Sequence, residues 1–210
     1  MTKARSKIRI FLLALAGLLS VSAQAQNLIR YEAQPSGSKV KLQGSSTIHD
    51  WSADCAVIGG FMEVSPAFDA DLKTPTPPPK VQITIPVRQL KTSEGKSMDK
   101  VMYEHLNLPE HPTIKYQLIS LTPKEASQFD AQGALTISGV TRTNTMPVSF
   151  ERVDKTKIKV KGNTSLKMTD FGVKPPAPSI LGMSLIKTDD NVKLSFEWTV
   201  AQPEKAPDAK

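Results

Sequence analysis

The chain has 210 residues, with 27 Lys and Arg against 20 Asp and Glu for a formal net charge of +7, and one cysteine. A lone cysteine excludes an internal disulfide framework, and the length suits one domain with a sizeable core. The basic excess points away from nucleic acid once the N-terminus is set apart.

Lys3, Arg5, Lys7 and Arg9 form a basic n-region, Ile10 to Leu19 a short apolar core, and Ala23-Gln24-Ala25 the small-x-small pattern of a signal-peptidase site. The apolar run is too short for a retained bilayer anchor, and no cysteine follows it to take a lipid. Residues 1–25 are therefore read as a signal peptide cleaved near Ala25, giving a periplasmic or secreted protein. Removing its four basic residues leaves 23 Lys and Arg against 20 Asp and Glu, a net charge of +3. That balance does not mark a nucleic-acid binder. Residues 26–200 are expected to form one β domain, and residues 201–210, "AQPEKAPDAK", a solvated tail without periodicity.

Along the mature chain the apolar residues recur with period two, between Gly, Pro, Asn and Ser punctuation. Val40 and Leu42 make the first set. Trp51, Ala53, Cys55 and Val57 make the second, running on towards Phe61, with Cys55 read as a small buried hydrophobe. A proline-rich loop, "TPTPPPK", separates these from Val81-Ile83-Ile85-Val87. Then "SMDKVMYEHLNLP" breaks the rhythm. Met98, Val101, Met102 and His105 or Leu106 fall on one face of a short helix, with Ser97 as N-cap, Asp99 in the first turn and Pro109 beyond the end. Alternation resumes in Ile114-Tyr116-Leu118, Leu135-Ile137, Met146-Val148-Phe150, Ile158-Val160 and Val192-Leu194-Phe196-Trp198. In "KTKIKVKG" the lysines 155, 157, 159 and 161 take the face opposite Ile158 and Val160. A solvated strand face explains them better than a patch for anionic lipid.

The fold class is therefore mainly β: a single antiparallel barrel of eight strands with one short helix capping an end. A β-sandwich stays open as the alternative, because alternation does not separate a closed sheet from two stacked ones.

"GSSTIHDW" invites a catalytic reading. In a strand, however, His49 and Trp51 share one face and Asp50 takes the other, so Asp50 cannot orient His49 as a dyad would. The inward set also switches from even positions at Val40 and Leu42 to odd ones from Trp51. A turn or bulge must therefore lie within "QGSSTIHD". The three histidines, His49, His105 and His111, have no local metal spacing, and neither a nucleophile elbow nor a phosphate-binding loop occurs. The expectation is no catalytic residue, no metal and no cofactor.

Several stretches, in order and spacing, resemble the YceI-like family of exported proteins. They are "GSSTIHDW", "GGFMEV", "VQITIPVRQLKT", "LNLPEHPTIKYQL", "GALTISGVTRTNTMPVSF" and "LKMTDFGVKPPAPSILG". Departures are the long "PAFDADLKTPTPPPK" insertion and an unusual "RTNTM" turn. The resemblance implies a lipocalin-like eight-stranded barrel, of the polyisoprenoid-binding type, whose elongated apolar interior holds an isoprenoid or a fatty-acid-type chain. It also implies that two chains can pair, and it supplies no catalytic set.

The leading functional expectation is a non-enzymatic carrier or sequestering protein for an isoprenoid or other long-chain lipid, with transient membrane-surface contact. The competing one is a filled barrel serving as a structural or protein-interaction module in envelope stress. Burying roughly 20 methylenes gains on the order of 16 kcal/mol gross, reduced by ordering the chain. The candidate ligand-binding residues are Trp51 on the wall, Met98, Val101, Met102 and Leu106 on the helical lid, and Phe171, Ile180, Leu181 and Met183 at the mouth.

Overall fold

The computed structural model describes residues 27–125, 127–177 and 186–204. The expected signal peptide, the mouth residues Ile180, Leu181 and Met183, and the end of the expected tail lie outside the described residues.

In chain order the elements are β1 (Ile29–Ala33), β2 (Lys39–Ser45), β3 (Asp50–Cys55), β4 (Gly59–Val64), α1 (Pro66–Asp71), β5 (Lys80–Pro86), β6 (Lys91–Thr92), α2 (Lys96–His105), β7 (Thr113–Pro123), β8 (Gln128–Ile137), β9 (Val140–Arg152), β10 (Lys157–Lys167) and β11 (Asn191–Ala201). Eight strands close a ring in the order β1-β4-β5-β7-β8-β9-β10-β11, and β11 returns to β1. All the pairings are antiparallel. A closed ring leaves no free edge, so the molecule is a barrel and the sandwich alternative falls away. The long strand β11 serves two neighbours on one side. Its last residues, Val200 and Ala201, pair with β1, whereas Lys193 to Glu197 pair with β2. From there β2, β3 and β6 extend the sheet beyond the ring, past the eight strands the periodicity suggests.

Side-chain parity explains most of the core. Val40, Met146, Val148, Phe150, Ile158, Val160 and Trp198 are all buried on the inward face. Where expectation and structure part, a local backbone device resets the parity. β3 ends at Cys55, Val57 is exposed, and Ile58 is buried in its place. Gly59 and Gly60 then open β4, with Gly60 at φ +121°, so that Met62 and Val64 point inward and Phe61 outward beneath the Arg30 guanidinium, 4.1 Å from the ring centre. In β7 a bulge between Leu118 and Ser120 shifts the parity, so that Leu121 rather than Ser120 follows Leu118 into the core while Ile119 stays exposed. "RTNTM" is strand rather than turn. The chain reverses upstream at Ser138 and Gly139, both at positive φ as a two-residue hairpin requires, and Ile137 pairs with Val140.

The two helices close opposite ends. α1, which periodicity did not disclose, is six residues long, capped by the Ser65 side chain on the Phe68 N–H, with Pro66 in its first turn. It inserts Phe68 between Phe129 and Phe150, and the three rings meet edge-to-face with centres 5.2 to 5.9 Å apart. Over them, Tyr31 donates to Asp69 at 2.5 Å, and Arg152 donates to Tyr31 at 2.9 Å and to the Asp69 carboxylate at 2.7 Å. Burial, and then the Asp69 carboxylate, push the Tyr31 phenol upward from its ordinary value. Ala201 is part of β11 and Gln202 donates to the Tyr31 hydroxyl at 3.0 Å. β11 therefore includes the first residue of the expected tail.

α2 occupies the positions expected of it, except that Gly95 is its N-cap and Ser97 lies within the first turn. Asp99 explains the difference. Its carboxylate accepts from the Thr92 N–H at 2.7 Å and the Thr92 hydroxyl at 2.9 Å, which anchors the first turn to β6. The Lys91 ammonium lies 3.7 Å away. Together, the Thr92 N–H first, these hold the Asp99 carboxyl below its ordinary pKa.

Candidate functional site

Beneath α2 the barrel is hollow. A cavity of about 290 Å³ opens between the helix, the β2–β3 turn and the inward faces of β10 and β11, and a second chamber of about 80 Å³ lies deeper. Both are lined in part by Val40, Ile85, Leu135 and Leu194, which makes them successive chambers of one lumen. The larger falls at the lower end of the range usual for small-molecule sites.

Glycines keep this space open. At three inward wall positions an aromatic ring lies flat where a side chain would otherwise stand. A Cβ on Gly44 would sit 2.2 Å from the Trp51 ring, on Gly133 2.3 Å from the Tyr116 ring, and on Gly162 2.6 Å from the Phe196 ring. Each ring therefore lies against the sheet instead of across the lumen. Gly44 and Trp51 are direct cross-strand partners on β2 and β3, and the Trp51 indole N–H donates to the Ser45 carbonyl at 3.3 Å.

The His49-Asp50-Trp51 stretch is resolved by this geometry. Ser46 to His49 form a tight reversal. The Ser46 hydroxyl donates to the His49 carbonyl at 2.8 Å, and its oxygen accepts from the His49 N–H at 3.2 Å. The His49 ring donates through Nδ1 to the Asp50 carbonyl at 2.9 Å, not to a carboxylate. The motif is turn and wall, with His49 and Trp51 at the rim of the larger cavity. Among the described residues no three His, Cys, Asp or Glu side chains come together as a metal site. Cys55 is buried, and burial raises its thiol pKa.

Of the candidate residues, Trp51, Met98, Val101, Met102, Leu106 and Phe171 all line the larger cavity. Besides Asp99, the residues Tyr103, His105 and Ser138 fix the helix and its C-terminal end above it. The Tyr103 hydroxyl lies 2.9 and 2.8 Å from the carbonyl oxygens of Arg88 and Leu90 and accepts from Lys91 at 2.7 Å. His105 Nδ1 meets the Lys174 carbonyl at 2.6 Å. The Ser138 hydroxyl donates to the Leu106 carbonyl at 2.6 Å.

Other lining residues were not among the candidate ligand-binding residues. Leu42, Ile114, Leu166 and Val192 extend the inward faces, and strict alternation along each strand identifies them. Ile48, 61% exposed at the tip of the β2–β3 turn, and Ile186 sit on irregular backbone and carry no such signal. The lysine face of β10 is ion-paired rather than free at three positions: Lys157 with Asp154, Lys159 with Glu197 and Lys161 with Glu151.

Comparison with known proteins agrees with the architecture. A family model described as the YceI-like domain matches residues 31–200. The crystal structure of Burkholderia cenocepacia BcnA superposes with a TM-score of 0.62 at 18% identity, covering 80% of this chain and 98% of that one. A polyisoprenoid binding domain from Saccharophagus degradans, implicated in plant cell wall breakdown, gives 0.62 at 14% identity, over 83% of this chain and 99% of its own. The Campylobacter jejuni YceI protein gives 0.56 at 17% identity, over 72% and 85%. Among curated proteins nothing matches the chain.

Proposed function

The chain belongs to the YceI-like family, and on that premise we propose that it is a non-enzymatic carrier holding one long-chain lipid, of isoprenoid or fatty-acid type, in the lumen beneath α2. The observation that carries this reading is the hollow end of the barrel. Its cavity is lined almost wholly by aliphatic, aromatic and thioether groups, with flexible Met98 and Met102 in the helix above. Methionine adapts to irregular chains, and an apolar space of this kind excludes water in favour of a hydrocarbon. The polyisoprenoid-binding Saccharophagus degradans domain of the same fold supports the class of ligand. The filled-barrel alternative describes only the α1 end.

The basic n-region and Ala23-Gln24-Ala25 support export ahead of this function. N-terminal sequencing of the protein from its native host is expected to begin at Gln26. Exposed Ile48 beside the mouth supports brief contact with a membrane surface during loading.

Native mass spectrometry of protein purified without detergent tests the carrier reading. A stoichiometric long-chain adduct is expected, and Met102→Trp should remove it by filling the chamber. A clean apo mass that persists after incubation with envelope lipids would overturn the carrier reading.

A further inference from the structure

The lumen ends on a floor that this chain's own insertion completes. Phe150 lines the deeper chamber, and Phe68 and Phe129 stand behind it with ring centres 5.2 and 5.4 Å from its own. Phe68 is fully buried and comes from α1, which lies in the "PAFDADLKTPTPPPK" insertion. Arg152 clamps that helix by donating to the Asp69 carboxylate at 2.7 Å, and the Ser65 side chain caps it. At the other end, Ser46, His49 and Lys167 bring polar groups to the lining of the mouth. Strand geometry gives the depth between the two. On β10 the inward residues run from Leu166, which lines the larger cavity, to Val160, which lines the deeper chamber and is the cross-strand partner of Phe150. That stretch is about 20 Å of strand and, at the tilt of a barrel strand, about 15 Å along the axis. One leaflet of a bilayer, half of a hydrocarbon core about 30 Å thick, has the same depth.

We propose that the aromatic floor is a chain-length gauge: the ligand is a single chain of the length found in one membrane leaflet, lying tail first against Phe150, and longer chains are rejected. This inference rests on the carrier reading above and narrows its ligand. The bore leading to the floor stays open because Tyr116 and Phe196 lie against Gly133 and Gly162. The floor itself is closed by edge-to-face contacts among its three rings, and a close-packed cluster of this kind does not yield to an arriving methyl end. Methylenes beyond the gauge length therefore stay outside the lumen. Every two left in water lower the affinity about tenfold relative to a chain that is wholly enclosed.

The gauge is tested by competition on the delipidated full-length mature protein, read by native mass spectrometry. Dodecan-1-ol, hexadecan-1-ol, icosan-1-ol and tetracosan-1-ol serve as probes, supplied at equal concentration from methyl-β-cyclodextrin. Hexadecan-1-ol is expected to dominate, with icosan-1-ol and tetracosan-1-ol each below about a tenth of its occupancy. Phe68→Ala should leave occupancy by hexadecan-1-ol alone unaltered and raise the icosan-1-ol to hexadecan-1-ol ratio in the mixture about tenfold. Ala131→Leu, which fills part of the deeper chamber from β8, should move the preference to dodecan-1-ol, and it decides the outcome if Phe68→Ala does not fold. A wild type that takes icosan-1-ol or tetracosan-1-ol as readily as hexadecan-1-ol would overturn the gauge while leaving the carrier reading intact. So would folded variants that keep the wild-type length preference. Failure of all four alcohols to bind the wild type would overturn both.

Discussion

The two ends of this barrel are built from the same alternating strands and come to opposite outcomes. At the α1 end Phe68, Phe129 and Phe150 interlock and the Tyr31–Asp69–Arg152 cluster is drawn over them. At the α2 end the inward residues are mostly aliphatic, the Trp51 ring lies against Gly44, and the covering helix presents Met98 and Met102 where α1 presents Phe68. An eight-stranded barrel is just wide enough to fill itself or to hold one slender ligand. Here side-chain size and the placement of three wall glycines settle that choice differently along one lumen. Stability and binding are thereby assigned to different ends, and mutations should separate them.

The largest effect expected is on stability at the α1 end. Phe68→Ala empties a fully buried site and should cost about 3–5 kcal/mol in urea denaturation. Lipid occupancy at low temperature should nevertheless stay unchanged. Loss of binding in the folded variant would break the division between the ends.

Asp99 comes next, because it holds α2 in place. Asp99→Asn replaces a charged acceptor of two hydrogen bonds and should cost about 1.5–3 kcal/mol. The folded pKa of Asp99 lies below its ordinary 3.8. Its contribution is therefore complete above that pH and is lost as the pH falls through the lower, folded value. Amide hydrogen exchange in α2 should accelerate selectively in that acid range in the wild type, and Asp99→Asn should already exchange fast at neutral pH. An α2 whose exchange ignores both changes would show that Thr92 and Asp99 do not anchor it.

A somewhat smaller effect is expected at the cavity wall. Gly44→Ala places a methyl where the Trp51 ring lies. It should cost about 1–3 kcal/mol, turn the indole into the mouth, and blue- or red-shift its emission while leaving buried Trp198 unaltered. Unchanged stability and fluorescence would mean that the ring-on-glycine contact does not shape the lumen. Smallest of all, Lys161→Ala removes an exposed ion pair with Glu151 and should leave the melting temperature and binding to anionic vesicles unaltered, since such pairs contribute little.

Much of this division was legible in the sequence, and the rest has identifiable causes. The inward faces of β2, β8, β9, β10 and β11, and the apolar face of α2, follow from periods of 2 and 3.6. The lid residues Met98, Val101, Met102 and Leu106 line the cavity for that reason. Periodicity loses the thread where the backbone resets it: at Gly59-Gly60, which turns Phe61 outward, and at the β7 bulge, which turns Leu121 inward. α1 is too short to show a helical period, and only Ser65-Pro66, an N-cap followed by a first-turn proline, betrays it. The aromatic-on-glycine pairs join positions distant in sequence, such as Tyr116 with Gly133, so the openness of the lumen was not readable before strand register was known.

The central claim, that lipid occupies the lumen beneath α2, is tested most directly by methyl NMR of delipidated protein labelled at its methionine methyl groups and titrated with hexadecan-1-ol. The account predicts that the Met98 and Met102 methyl signals move together and saturate near one equivalent. Unmoved Met98 and Met102 signals at saturating alcohol would contradict it.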